Sequence, residues 1–426
     1  MNKSISFCLF VLAVAGWNVN VAARVITVAA SGGNYATIAD GINAARAGDT
    51  VAVQSGTYNE KITTVRAGVA GKKIVIKAVP RRTVDINGVT ISHNYVQVEG
   101  FRINGSKIDI NASYVEVKDN YVSNVPSEGI AVQGAPGNYN NHDIYIGNNL
   151  VYHSQYGIMV SGRRITVEKN EVDRLFRYIH GDDDYSRFFG DSIVFRNNWF
   201  HGTKFDSTGK HYEVGRAHVD CWQTFDNNGE YAKDITFENN VCSDCDQGTM
   251  GEAIYHKNSS RFVYRNNLFL NCGAFGIALV SIGDVSVVNN TFANTRKQIP
   301  GYFGVGLSGQ NCTNNVIKNN MFYAISENSV STDSNATAVI DYNFYCRARA
   351  HYKKGPHEIE NQDPLFFNPD SNDFRLHLGS PAIDAGEDLG VAKDINGRLR
   401  KMPPDIGAYE AESVITHTAT ESSPAR

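Results

Sequence analysis

IVFRNN (193–198), ITFENN (235–240), FVYRNN (262–267) and VSVVNN (285–290) are four versions of one phrase. In each, apolar β-branched or aromatic residues alternate with polar ones, and the run closes on asparagine. Earlier versions are VEVKDN (115–120), IYIGNN (144–149) and ITVEKN (165–170); later ones are VIKNN (316–320) and VIDYN (339–343). The closing asparagines stand 29, 21, 28, 42, 27, 23, 30 and 23 residues apart. Strict alternation is the signature of a strand with one buried face. Recurrence every twenty to thirty residues marks a solenoid.

One such unit cannot bury its apolar face alone. Stacking units at the ~4.8 Å strand spacing joins the strands into parallel sheets around one continuous core. Asparagines at the same corner of successive coils can then bond to each other as a ladder. A second strand series is visible in GIAVQG at Gly129, GIMVSG at Gly157, EAIYHK at Glu252, GIALVS at Gly276 and GVGLSG at Gly304. The Leu-x-x-Leu-x-Leu signature of a leucine-rich horseshoe is absent. The predicted fold is all-β: a single-stranded right-handed parallel β-helix with an N-terminal capping helix, covering residues 24–412.

The ends read differently. Lys3 precedes an apolar run (5–15), and Val21, Ala22 and Ala23 offer a cleavage site. This predicts a signal peptide over 1–23 and a secreted, extracellular or periplasmic protein. The run is shorter than the ~20 residues of a bilayer span, so no membrane attachment is expected after cleavage. Residues 413–426 are polar and rich in Ser and Thr, and are expected to be disordered. The net charge of −4 argues against nucleic acid as a partner. A monomer is expected. Beyond Cys8 there are six cysteines, enough for three disulfides in an oxidising compartment. Cys245 and Cys272 each follow their asparagine mark by five residues. They should therefore stack, either as a disulfide or as buried thiols.

The stretch VITVAASGGNYATIADGINAARAGDTVAVQSGTYNEKI resembles the N-terminal cap of pectate-lyase-like β-helix proteins, with a helix near 38–45 covering the open end. KKIVIKAVPRRTVDING and YVQVEGFRING resemble their first coils. QDPLFFNPDSNDFRLHLGSPAIDAG and DIGAYE (405–410) resemble the segment that closes secreted bacterial members. The resemblance implies a polysaccharide-active protein. It does not select among lyases, hydrolases, epimerases and binders.

The chemistry is sought beside the longest interval, 198 to 240, because solenoid insertions gather on one side. That interval holds Lys210, His211, Arg216, His218, Asp220, Trp222 and Gln223. Aligning HVDCWQ with EAIYHK, with extra residues allowed in the intervening turn, sets Asp220 beside Glu252, with His256 and Lys257 near. Arg216, His218, Asp220 and Lys257 are the expected catalytic residues. Lys210, His211, Trp222, Gln223, Glu252 and His256 are the expected substrate contacts. Asp220 and Glu252 are the candidate calcium ligands. The acidic run Asp182, Asp183 and Asp184 reads as a solvated turn. The expected activity is β-elimination on a uronic-acid polymer, with hydrolysis, epimerisation or plain binding as alternatives.

Overall fold

The computed structural model describes residues 22–176, 182–203, 218–295, 303–351 and 353–412. Among the described residues thirty-two strands form one continuous parallel sheet that winds around the chain axis. It is a right-handed parallel β-helix. Three strand series recur in each coil. One runs through His218–Thr224, Gln247–Glu252, Phe275–Val280, Phe303–Ser308 and Asn328–Thr332. A second contains Ala232–Glu238, Ser260–Arg265 and Ser286–Val288. A third contains Val241–Ser243, Leu268–Leu270 and Thr291–Ala293.

Alternation places the core. Ile235 and Phe237 are fully buried while Thr236 and Glu238 stay partly exposed. Equivalent positions in successive coils stack. The Phe195, Phe237 and Tyr264 rings lie parallel with centroids 5.4 and 4.5 Å apart. Phe269, Phe292, Phe322 and Tyr345 continue a second column at 4.9, 5.1 and 5.4 Å.

The doubled asparagines divide two tasks. The first of each pair takes the left-handed conformation that turns the corner, with φ of +55° at Asn239 and +56° at Asn266. Asparagine tolerates that region better than other residues with a side chain. The second is buried and belongs to a ladder. Nδ2 of each asparagine donates to Oδ1 of the next, from Asn120 through Asn149, Asn170, Asn198, Asn240, Asn267, Asn290 and Asn320 to Asn343. The same Oδ1 atoms also accept the backbone N–H of the preceding ladder residue, as Asn240 does from Asn198 at 2.9 Å.

Both ends are closed. The helix Ile38–Ala44 starts on Thr37, whose hydroxyl accepts from Asp40 N, and it buries Ile38 and Ile42 over the first coil. Glu60 accepts the N–H groups of Ile38 and Ala39 at 2.9 Å, satisfying donors that a helix start leaves open. At the other end the Glu358 carboxylate accepts the N–H of Asn343, the last ladder residue, at 2.6 Å. The tail resembling a closing segment does something else. It runs back along the flank, where Arg400 donates to Asn266 Oδ1 at 2.8 Å and Ala408 N to Thr291 Oγ1 at 3.1 Å. Phe374 and Ala408 pack there on Leu268, Leu270 and Ala293.

Among the described residues there is one disulfide, Cys221–Cys242, where the sequence allowed three. Cys245 and Cys272 do stack, but as thiols with sulfurs 3.4 Å apart. Protein lacking residues 1–23, denatured without reductant, is expected to take four alkyl groups by mass spectrometry, and six after reduction. Two before reduction would mean that Cys245 and Cys272 had closed into a second bridge.

Candidate active site on the outward face

The first strand series carries an unusual outward row. Parallel register sets Asp182 against His218, Asp184 against Asp220, and Asp220 against Gln247. The next outward position pairs Arg187 with Gln223, and Gln223 with Met250. His218 Nδ1 lies 3.2 Å from Asp182 Oδ1, and its Nε2 lies 3.6 Å from Asp220 Oδ2. Gln223 Nε2 donates to Asp220 Oδ2 at 3.2 Å. Arg187 Nε bonds Asp184, and its guanidinium reaches Asp182 at 3.7 Å. That guanidinium also faces the rings of Tyr156 and Phe225 at 5.1 and 5.5 Å. Asp246 Oδ2 accepts Val219 N–H at 3.0 Å, which holds the strand between His218 and Asp220.

Asp184 and Asp220 are fully buried, yet each sits on the face that points away from the core. Burial pushes the Asp184 carboxyl up to about 7; Arg187 opposes that rise, and Asp182 and Asp183 add to it. Burial also raises Asp220 far above the carboxylate range, with the charges of Asp184, Asp182 and Asp246 adding to it. Two carboxylates on adjacent coils cannot both ionise cheaply in such a place. They hold a proton between them near neutral pH or bind a cation. Asp184 Oδ1, Asp220 Oδ1 and Gln247 Oε1 are buried without hydrogen-bond partners among the described residues.

The structure separates the sequence-predicted residues. Asp220 faces Gln247, and Glu252 faces Val280 at the far end of the same strand, so the expected stacking of Asp220 on Glu252 does not occur. The two therefore do not form the expected direct calcium pair. The gap introduced into that alignment was the error. Asp220 and Gln247 both stand 20 residues before their ladder asparagines, Asn240 and Asn267, so an ungapped alignment pairs them. Glu252 remains half-buried on the outward face; burial raises its carboxyl, and the charges of Asp182 and Asp226 add to this. His256 and Lys257 lie in an exposed turn pinned by Asp226, which accepts N–H groups of both. Lys257 bonds Gln310. Lys210, His211 and Arg216 lie outside the described residues.

Trp222 is the plainest correction. It is 0 % exposed and packs against Phe195, Phe200, Phe237 and Phe269, so no sugar can stack on it. Trp222→Ala is expected to cost about 3–5 kcal/mol in a denaturation experiment. A folded Trp222→Phe protein should bind any polysaccharide that the parent binds; lost binding at full stability would return the ring to the groove. Asp182, Asp184 and Arg187 were not among the candidate site residues expected from the sequence. Their signal was present, since the triple aspartate lies one coil before HVDCWQ, but a run of aspartates ordinarily means solvent.

A second polar group lies on the third strand series. Glu171, Asp173 and His201 offer ligand atoms within 4.8 Å of one another. His201 Nε2 is 3.1 Å from Glu171, and the Trp199 ring stacks on the imidazole at 3.6 Å. The hydrogen bond between His201 and Glu171 accounts for the close approach of these two groups.

Residues 220–345 match the family model described as "Right handed beta helix region". No curated protein matches the sequence. Among solved structures, XylC in complex with xylose superposes with a TM-score of 0.60 at 11% identity, covering 91% of this chain and 98% of the other. A pectate lyase, Pel9A, aligns at a TM-score of 0.48 and 14% identity, covering 92% and 98%. An alginate lyase from a Paenibacillus species gives 0.47 and 14%, covering 66% and 97%. These likenesses are of fold. Among the described residues no helix is long and apolar enough to cross a membrane.

Proposed function

We propose that this protein is a secreted carbohydrate-active enzyme that cleaves a uronic-acid-containing polysaccharide by β-elimination at the Asp184–Asp220 face. The observation that supports it is a buried carboxylate pair on adjacent coils, flanked by His218 and Arg187, on an outward surface. Structural carboxylates are rarely buried outward without full pairing. His218 is the base. Asp182 orients its ring, and the imidazole takes the proton beside the uronate carboxyl group. The bond from the neighbouring ring carbon to the glycosidic oxygen then breaks, and a ring double bond forms. His218 returns the proton to the departing oxygen. Arg187 supplies positive charge at the substrate carboxylate.

A divalent cation such as calcium fits this site by donor type. Asp184, Asp220 and Gln247 present hard oxygen atoms that lack partners among the described residues. When bound, it supplies positive charge against the uronate. Because the pair holds a proton near neutrality, binding releases that proton and strengthens as pH rises through about 7.

Hydrolysis is the second reading, favoured by a proton held within the Asp184–Asp220 pair, one carboxyl serving as acid and the other as base of a glycosidase. The deciding experiment incubates the protein with pectate, alginate and glucuronan, with and without calcium. Ultraviolet absorbance from a new ring double bond supports elimination. New reducing ends without absorbance shift the reading to hydrolysis. Neither signal on any polymer sinks both.

A further inference from the structure

A second crevice lies where the returning C-terminal segment meets the corner before the first strand series. It has two chambers that share Pro369 and Asp370. One, of about 560 Å³, is lined by Asn271, Asn294, Thr295 and Ser326. The other, of about 570 Å³, is lined by Tyr323, Arg347 and His377 together with the carboxylates of Asp363 and Asp370. Each volume lies within the ~300–1,000 Å³ of small-molecule sites. The first chamber offers amides and hydroxyls, and Thr295 Oγ1 is buried there with no partner among the described residues. The second offers an exposed guanidinium. Arg347 lies over the Tyr323 ring at 5.6 Å and makes no ion pair among the described residues, whereas most arginines along the coil corners pair with a carboxylate. The Asn271 corner leads into Phe275–Val280, two coils beyond His218–Thr224. At ~4.8 Å per coil the crevice begins about 10 Å along the axis from Asp220.

We infer that this crevice is a second carbohydrate site, which holds a uronate-bearing stretch of the polymer away from the point of cleavage. Arg347 takes the uronate carboxylate, for which an unpaired guanidinium over a ring is suited. The polar chamber takes the hydroxyls of the adjoining sugar. This rests on the reading of the substrate as an acidic polysaccharide. Two contiguous chambers match two successive rings, and the C-terminal segment acquires a role besides covering the flank.

The test is affinity electrophoresis through gels containing polygalacturonate, alginate or glucuronan, using the parent, Arg347→Gln, Ser326→Trp and Asp220→Asn. Arg347 and Ser326 are both exposed, so these variants should fold, which melting curves check. The expected result is retardation by one polymer that weakens about tenfold or more in Arg347→Gln and Ser326→Trp. Asp220→Asn should keep its retardation. Turnover of a short oligosaccharide by the two crevice variants should equal the parent's. Undiminished retardation of both crevice variants overturns the inference even if the parent cleaves the polymer. Absence of any retardation of the parent also overturns it. Retardation that depends on Arg347, with no product from the parent, keeps the crevice and sinks the lyase reading instead.

Discussion

Asp220→Asn is expected to reduce turnover by about 10²–10⁴-fold, the range for loss of a positioned acid or base or of the group that holds it. The same change should raise the melting temperature at pH 7.5, or leave it unchanged. The carboxylate is fully buried beside Asp184, and burial followed by like charge raises both groups. A raised folded-state value means that the folded protein binds more protons than the unfolded chain. The associated stability is complete below the unfolded carboxylate value, near 4, and is lost as pH rises from there through the raised folded-state value. Asparagine has no such loss, and it can donate to Asp184. The difference in melting temperature between parent and variant should therefore shrink toward pH 4.5. Turnover measured beside calorimetry at the two pH values checks both halves. Full turnover in the variant would remove Asp220 from the site; a large destabilisation at both pH values would make it a structural residue.

The second large effect belongs to the ladder. Asn240→Ala removes four buried hydrogen bonds. Asn240 Oδ1 accepts from Asn198 N and Nδ2, and its Nδ2 donates to Phe195 O and Asn267 Oδ1, all at 2.9 Å. The partners are buried; Asn198 Nδ2 keeps Val167 O and Asn267 Oδ1 keeps the Asn240 N–H, so about two groups are stranded, each at about 1–3 kcal/mol. A total near 3–5 kcal/mol is expected, read as a large downward shift of the guanidinium midpoint. Asn239→Gly is the control. Residue 239 has φ +55° at the corner, which glycine adopts readily, so the change should cost about 1 kcal/mol or less. Equal shifts in the two variants would mean that the ladder stabilises no more than the turn does.

These residues show where the sequence was legible. The alternation in ITFENN and its relatives dictated one buried face, and repetition dictated stacking, so the coil and its inner columns followed from local chemistry alone. The doubled asparagine announced a corner. The region of the proposed site was also readable, since HVDCWQ sets His218 and Asp220 in the outward row beside Asp182 and Asp184. The neighbours were not readable. Which residue faces Asp220 depends on register between coils of unequal length, and one wrong gap moved the partner from Gln247 to Glu252.

Burial was the other quantity beyond reach. Asp182, Asp183 and Asp184 are chemically alike, but only their places in the coil decide that Asp184 is sealed beside Arg187 while Asp182 remains exposed enough to meet His218. Trp222 fell inward for a comparable reason. Tyr185 and Ser186 in one coil, like Cys221 and Trp222 in the next, are consecutive buried residues that interrupt strict alternation. The repeating sequence by itself determined a β-helix, its Asn corners and the strand that carries His218 and Asp220. Tertiary stacking alone decided which carboxylates meet and which side chains water reaches, because both depend on contacts between residues one full coil apart.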